Sequence, residues 1–287
     1  MRIFSEDQLV LVVDIGNTNT VCSIYRHGES IWSARLQSER ERTSDEYYSR
    51  LCSLLCHIPS VGQINTKESG SASADYRNCA FSLSEISYVA LGSVVPELSR
   101  IWRHLLQKYT SAKVFEINGL SPLDMHYKVG NPSALGADLV ANGFAAWKKY
   151  RQSAIVIDLG TATTIQVISN SGVFEGAAIA PGLKTGATNL FAKAAQLFEL
   201  EITPPTALLG TNTHDAVLSG IVYGHAFMLE SFIYRLKEQY NHHAPLITIL
   251  TGGMASLIMP YLPCVEYQDK NLTMDGFYLA LTTLMQS

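Results

Sequence analysis

The stretch Leu9-Val10-Leu11-Val12-Val13-Asp14-Ile15-Gly16-Asn17-Thr18-Asn19-Thr20 returns in pattern as Ala154-Ile155-Val156-Ile157-Asp158-Leu159-Gly160-Thr161-Ala162-Thr163-Thr164. In each, an apolar strand of buried type ends in an aspartate. A glycine follows two positions on, then a row of short hydroxyl and amide side chains. Strand-like residues resume at Val21-Cys22-Ser23-Ile24 and at Ile165-Gln166-Val167-Ile168. The pattern predicts a β-hairpin with a small polar turn, once in each half of the chain. A single hairpin of this kind is an ordinary turn. Two of them, with aspartate, glycine and the last threonine at matching positions, point to a shared purpose.

That purpose fits a polyphosphate. Such a ligand needs donors close to its oxygens and a cation to offset its charge. Gly16 and Gly160 lack Cβ, which lets the backbone approach a phosphate and reach positive φ. Thr18, Thr20, Thr161, Thr163 and Thr164 offer hydroxyls, and Asn17 and Asn19 offer amides. Asp14 and Asp158 would repel bare phosphate, so their role runs through a bound cation such as Mg²⁺, which takes one or two carboxylates together with substrate phosphates. Neither a Walker A pattern nor a Rossmann glycine fingerprint occurs.

Working outward, the chain reads as strand, hairpin and strand over residues 9–36, then a helix from near Ser44 with Ser44 as its cap. Residues 60–78 are rich in Ser and Gly and read as a long surface loop. Ile86 to Pro96 is a strand running into a loop, followed by a helix over 97–109 and a strand over 113–117. Gly136-Ala137-Asp138 opens a helix to about Tyr150. The second hairpin occupies 151–168, and Glu175 to Gly182 is a further strand ending in a turn, with a helix from Leu183. A long helix runs from about His214 to Tyr240. Leu246–Leu250 is a strand, Thr251-Gly252-Gly253 a turn, and a last helix starts at about Asp275. Strands and helices alternate twice in the same order, which indicates two α/β domains of similar plan with a cleft between them.

The 287 residues are 47% hydrophobic and 16% charged, with a net charge of −4. This composition suits a compact globule and lacks the basic footprint of a nucleic-acid binder. No apolar stretch is read as reaching membrane-spanning length. Met1 to Asp7 carries acidic residues where a signal peptide needs an apolar run, so the cytoplasm is the expected location. Cys22, Cys52, Cys56, Cys79 and Cys264 show no zinc spacing and read as reduced structural thiols. His242-His243 reads as a solvated pair.

Taken together, the order and spacing of several short motifs resemble the type III pantothenate kinases, including the Bvg accessory factor branch, within the actin/Hsp70/sugar-kinase superfamily. The motifs are the Asp14–Thr20 turn, Ser93-Val94-Val95-Pro96, Asn131-Pro132 with Gly136-Ala137-Asp138, Asp158–Thr164, Ala180-Pro181-Gly182-Leu183, Asn212-Thr213 with Ser219-Gly220, and Thr251-Gly252-Gly253. The resemblance implies two ribonuclease-H-like (actin-like ATPase) domains, 1–130 and 131–287, with an interdomain nucleotide cleft. It also implies transfer of the γ-phosphoryl group of ATP to pantothenate, at the start of coenzyme A synthesis, in a homodimer. In that scheme Asp14, Ile15, Gly16, Asn17, Thr18, Asn19, Thr20 and Val21 form the ATP phosphate loop, with Asp14 also near Mg²⁺. Thr161, Gly252 and Gly253 lie at the nucleotide. Asp138 is the general base, and Asp158 holds a monovalent cation (K⁺ or NH4⁺). Val129, Gly136, Ala137, Asp138, Leu139 and Thr213 surround pantothenate.

The chain departs from the family pattern on the acceptor side. The pattern is Gly-x-Asp-Arg, and Leu139 stands in place of the Arg. Val129 occupies a position where the family tends to carry Tyr; Tyr127, two residues away, would point to the same strand face. Gly176-Ala177 replaces a Gly-Gly pair. These departures leave three readings open: a pantothenate kinase with a modified pocket, a nucleotide-binding regulator built on the kinase frame, and a kinase for another hydroxyl acceptor. The bland reading of Asp138 is a helix cap, contributing roughly 1 kcal/mol.

Overall fold

A computed structural model of the protein describes residues 8–56, 81–193, 201–240 and 245–286. The segment 60–78, Cys79 and His242-His243 lie outside the described residues. The chain divides into two compact units, one ending at Ile117 and the other spanning Asn118–Leu284.

In the first unit the strands are β1 (Leu9–Ile15), β2 (Asn19–Arg26), β3 (Glu29–Gln37), β4 (Ile86–Ser93) and β5 (Lys113–Ile117), in the order β3-β2-β1-β4-β5. The β1–β2 and β2–β3 pairs are antiparallel, while β1–β4 and β4–β5 are parallel. Helices α1 (Ser44–Cys56) and α2 (Pro96–Tyr109) supply the rest of its core. Helix α2 shows why this sequence is helical. Pro96 fits the first turn, where its missing N–H is not needed. Leu98, Trp102, Leu105 and Leu106 then fall on one face at helical spacing and are all buried. They meet Tyr47, Leu51 and Leu55 of α1 and Leu9, Leu11, Val13 and Ile15 of β1 in one cluster.

The start of α1 corrects the sequence reading. Thr43, not Ser44, is the cap: the Glu46 carboxylate accepts from the Thr43 backbone N–H at 2.7 Å, and the Glu46 N–H donates back to the Thr43 hydroxyl at 3.3 Å. This reciprocal box outcompetes a lone serine cap. Ser44 Oγ instead lies 2.9 Å from His104 Nδ1 on α2.

In the second unit a short strand β6 (His126–Tyr127) precedes α3 (Ala137–Tyr150). Strands β7 (Ala154–Leu159), β8 (Ala162–Ile168) and β9 (Val173–Pro181) form a meander, and α4 (Leu183–Lys193) and α5 (Thr213–Gln239) follow. The unit ends with β10 (Ile247–Thr251), α6 (Ala255–Ile258), β11 (Tyr267–Gln268) and α7 (Leu272–Leu284). The strand order is β11-β10-β7-β8-β9-β6. Once β6 is set aside, β9-β8-β7-β10-β11 repeats the order and strand directions of the first sheet. Both units are therefore ribonuclease-H-like α/β sheets, as the resemblance implied.

Helix α5 overturns one exclusion. It carries an 18-residue window of mean hydropathy 1.4, so by length and composition alone it could cross a membrane. Val222, Ala226, Leu229 and Ile233 on its inner face are buried with Ile155, Ile157, Ile165 and Val167 of the sheet, and 33% of that window is buried in all. Cys56 is disulfide-bonded, which corrects the expectation of reduced thiols throughout; spacing alone does not reveal pairing. Cys22, Cys52 and Cys264 are free.

Candidate functional site

The first hairpin closes by a hydrogen bond from the Gly16 N–H to the Asn19 carbonyl at 3.0 Å. A Cβ on Gly16 would sit 3.0 Å from that carbonyl, so close approach is what the position needs. Neither Gly16 nor Gly160 has positive φ. Direct closure across each short turn keeps both glycines out of the left-handed region, which corrects that part of the sequence reading. Asn17 and Thr18 are exposed, Gly16, Asn19, Val21 and Asp14 are half-buried, and Ile15 and Thr20 are fully buried. The Thr20 hydroxyl lies 3.0 Å from Ser38 Oγ, and the Ser38 N–H donates to the Thr18 carbonyl at 2.9 Å. Ser38 thus anchors the loop from behind.

The second hairpin is clamped more tightly. Gly160 N–H donates to the Ala162 carbonyl at 3.1 Å. The Thr161 carbonyl accepts from the Gly182 N–H at 3.2 Å and from the Thr185 hydroxyl at 2.7 Å. A Cβ on Gly182 would lie 2.4 Å from the carbonyl oxygens of both Gly160 and Thr161. The start of α4 therefore packs directly on the turn and leaves the Thr161 side chain exposed. Thr163 and Thr164 are buried; the Thr163 hydroxyl lies 2.9 Å from His225 Nε2 on α5. Burial pushes the His225 pKa down.

Asp158, at the end of β7, pairs across the sheet with Thr251 on one side and Thr164 on the other, and Thr164 pairs with Ile179. These four residues share one face. Helix α3 covers that face: the Asn142 amide donates to Asp158 Oδ2 at 2.9 Å, and the Gln166 amide donates to the Leu139 carbonyl at 3.1 Å. Asp158 Oδ1 is turned toward Gly252, where φ is +95° and a Cβ would lie 2.5 Å from that oxygen. Gly253 is exposed beside it. The Met254 N–H donates to the Leu159 carbonyl at 3.3 Å and ties the β10 turn to the hairpin.

Asp138 stands one helical turn before Asn142. Its Oδ1 accepts the Leu139 N–H at 2.8 Å from inside the first turn; the cap position itself belongs to Gly136, so Asp138 is not the helix cap. Desolvation pushes its pKa up, and hydrogen bonds from backbone N–H groups oppose that. The pKa of Asp158 is pushed up to about 6, chiefly by desolvation; the Asn142 hydrogen bond opposes the rise and the charge of Asp138 adds to it. Two carboxylates whose pKa values burial pushes up, one of them at a helix start and its charge adding to the rise of the other, form the kind of pair in which one acts as a base near neutral pH.

The remaining acceptor-side residues are less gathered. Gly136 and Ala137 form the cap and first turn of α3, and Leu139 is only 6% exposed. Val129 lies just past β6 and is half-buried. The Tyr127 ring leans on Phe174, 6.0 Å between centroids, and its hydroxyl is buried without a partner. Thr213 is exposed in the first turn of α5, on the helix that covers the opposite face of the sheet, after the Asn212 cap. Sequence reasoning missed Asn142, Thr273, Gln166 and His225. Asn142, four residues after Asp138, was open to a helical-spacing argument; the other three had no local signal.

The model of the type III pantothenate kinase family matches residues 10–235. A type III pantothenate kinase from Thermomicrobium roseum is 33% identical over 97% of this chain and 99% of its own length. One from Moorella thermoacetica is 35% identical over 93% and 96%. Among solved structures, a conserved Baf family protein from Campylobacter jejuni superposes with a TM-score of 0.56 at 18% identity, covering 94% of this chain and 96% of that one, and shares its fold. With a family model matching most of the chain and relatives matching nearly all of it, the protein belongs to the type III pantothenate kinase family.

Proposed function

We propose that this protein transfers the γ-phosphoryl group of ATP to the primary hydroxyl of pantothenate, releasing ADP and phosphopantothenate for coenzyme A synthesis. The observation that carries the reading is the pair of half-buried carboxylates, Asp138 at the start of α3 and Asp158 at the end of β7, in a chain of this family. The Asp138 carboxylate accepts the hydroxyl proton as the oxygen bonds to phosphorus, and the bond from phosphorus to the ADP oxygen breaks. Phosphoryl transfer needs positioning and charge stabilisation more than covalent help. The exposed donors of the Asp14–Val21 turn and Thr161 bind the phosphates, and Gly252 and Gly253 border the nucleotide. Asp14 is the residue that would hold Mg²⁺, which neutralises charge on the phosphates when bound.

Asp158 is proposed to hold the monovalent cation, K⁺ or NH4⁺. The donor set suits one: Asn142 occupies Oδ2, while Oδ1 is turned to a close-packed glycine backbone. A carboxylate whose pKa burial has raised is returned to its charged form by a neighbouring cation. Gly136, Ala137, Leu139, Val129 and Thr213 are proposed to border pantothenate. A homodimer is also proposed. Gly220, Gly224, Phe227 and Tyr234 lie on one exposed face of α5, and the two aromatic residues are 50% and 69% exposed. ATP as donor suits a cytoplasmic protein.

The test is ADP release by the purified protein with Mg²⁺ and K⁺. Release that depends on added pantothenate supports the reading. Release that appears only with some other hydroxyl compound replaces the acceptor.

A further inference from the structure

Asn142 is 1% exposed, and both ends of its amide are engaged. Its NH2 donates to Asp158 Oδ2 at 2.9 Å, and its Oδ1 accepts the Thr273 hydroxyl of α7 at 2.8 Å. An ionised carboxylate only accepts hydrogen bonds, so the amide must present its NH2 to Asp158. The amide oxygen then needs a donor, and Thr273 is that donor. The chain of bonds therefore has one polarity: threonine to asparagine to aspartate.

The backbone explains how Thr273 comes within reach. Gly276, one turn further along α7, lies so close to α3 that a Cβ there would sit 2.1 Å from the Ala141 carbonyl oxygen. Only glycine permits that approach, and the approach brings Thr273 against the residue after Ala141. Lys149 adds a second tie between the helices through Asp275 at 2.6 Å, and also holds Asp269, just ahead of α7, at 2.6 Å. On α3, Asn142 stands four residues from Asp138, so the side chain that orients Asp158 lies on the same helix face as the base.

We propose that Asn142, locked by Thr273, is a positioning residue that fixes the rotamer of Asp158 and keeps its Oδ1 directed at the cation. The inference rests on the proposed function, in which Asp158 holds K⁺ or NH4⁺. A purely structural role, with Asn142 and Thr273 serving only as adhesive between α3 and α7, would alter stability and leave cation use unchanged. Outer partners of metal-binding carboxylates typically carry 10–100-fold in affinity.

The test compares Thr273→Val, which keeps the volume and removes the donor, with Thr273→Ser, which keeps the donor. Asn142→Ala is the stronger second variant. Two readouts are taken on each: the K⁺ midpoint for pantothenate phosphorylation, and the K⁺-induced rise in Tm of the ATP-bound protein without pantothenate. The K⁺ midpoint is expected to rise roughly 10-fold or more in Thr273→Val and Asn142→Ala. It should return to the parent value in Thr273→Ser, with the KM for pantothenate unchanged in all. If the parent responds to K⁺ and Thr273→Val responds with the same midpoint in both readouts, the positioning role is overturned and the kinase reading stands. If the parent phosphorylates pantothenate with no K⁺ response, the cation role of Asp158 falls, and this inference with it. Absence of any phosphorylation, with the K⁺ midpoint for the Tm rise still shifted, would overturn the kinase reading alone.

Discussion

Gly252 packs directly on Asp158: a Cβ on the glycine would lie 2.5 Å from Asp158 Oδ1 and 2.5 Å from the Leu159 amide nitrogen. The glycine also has φ of +95°, where an L side chain is strained. The turn after β10 thus sets how far Asp158 Oδ1 extends. Gly252→Ala must displace the carboxylate or the turn, and is expected to cost roughly 1–3 kcal/mol of stability. Turnover should fall further than stability explains. Urea denaturation together with steady-state kinetics checks this; a variant with the parent's denaturation midpoint would contradict the packing described here.

The raised pKa values make a prediction with a definite sign. Asp158 holds its proton up to about 6 in the folded protein, against 3.8 for an ordinary aspartate. Between these values the folded state binds more protons than the unfolded chain, so Asp158 makes stability fall as pH rises through that window. Asp158→Asn lacks this loss. Its stability relative to the parent, in buffer free of K⁺ and NH4⁺, is expected to grow from pH 3.8 to about 6 and then level off. Denaturation midpoints across pH decide it, and a relative stability that shrinks over the same range would reverse the assignment. Activity runs the other way, because a base must be ionised: turnover should rise with pH, with its acid limb above the ordinary aspartate range.

Leu139 occupies the position of the family arginine, and its burial alters what replacing it would do. At 6% exposure the side chain belongs to the packing beneath α3, and its carbonyl accepts from Gln166. Leu139→Arg would bring a guanidinium into that packing and is expected to lower stability by roughly 2 kcal/mol or more. Leu139→Met, close in volume, should cost less than about 1.5 kcal/mol. Thermal denaturation of the pair is the check. An arginine variant as stable as the parent would contradict the packing described for this side chain.

Much of the fold was legible because its strongest elements carry their own punctuation. Pro96 marks the start of α2, Gly182 precedes α4 and Asn212 caps α5; the two Asp-x-Gly turns showed the repeated sheet plan. What was not legible depended on contacts distant in sequence. Strands β6 and β11 are two residues each and exist only through their sheet neighbours. Thr43 displaced Ser44 as the cap because Glu46 reaches back, a choice that turns on side-chain geometry. At the site, Asp138, Asp158 and Gly252 stood out by motif, whereas the Thr273 bond to Asn142 spans 131 residues and leaves no local trace.

The central claim is that Asp138 is the base in transfer of a phosphoryl group to pantothenate. Its most direct test is mass-spectrometric detection of phosphopantothenate formed from ATP and pantothenate with Mg²⁺ and K⁺, for the parent and for Asp138→Asn under the same conditions. The account predicts product from the parent and a rate lower by roughly 10²–10⁴-fold in the variant, with ATP binding nearly unchanged. Equal rates in the two proteins, or no phosphopantothenate from a parent that binds ATP, would contradict it.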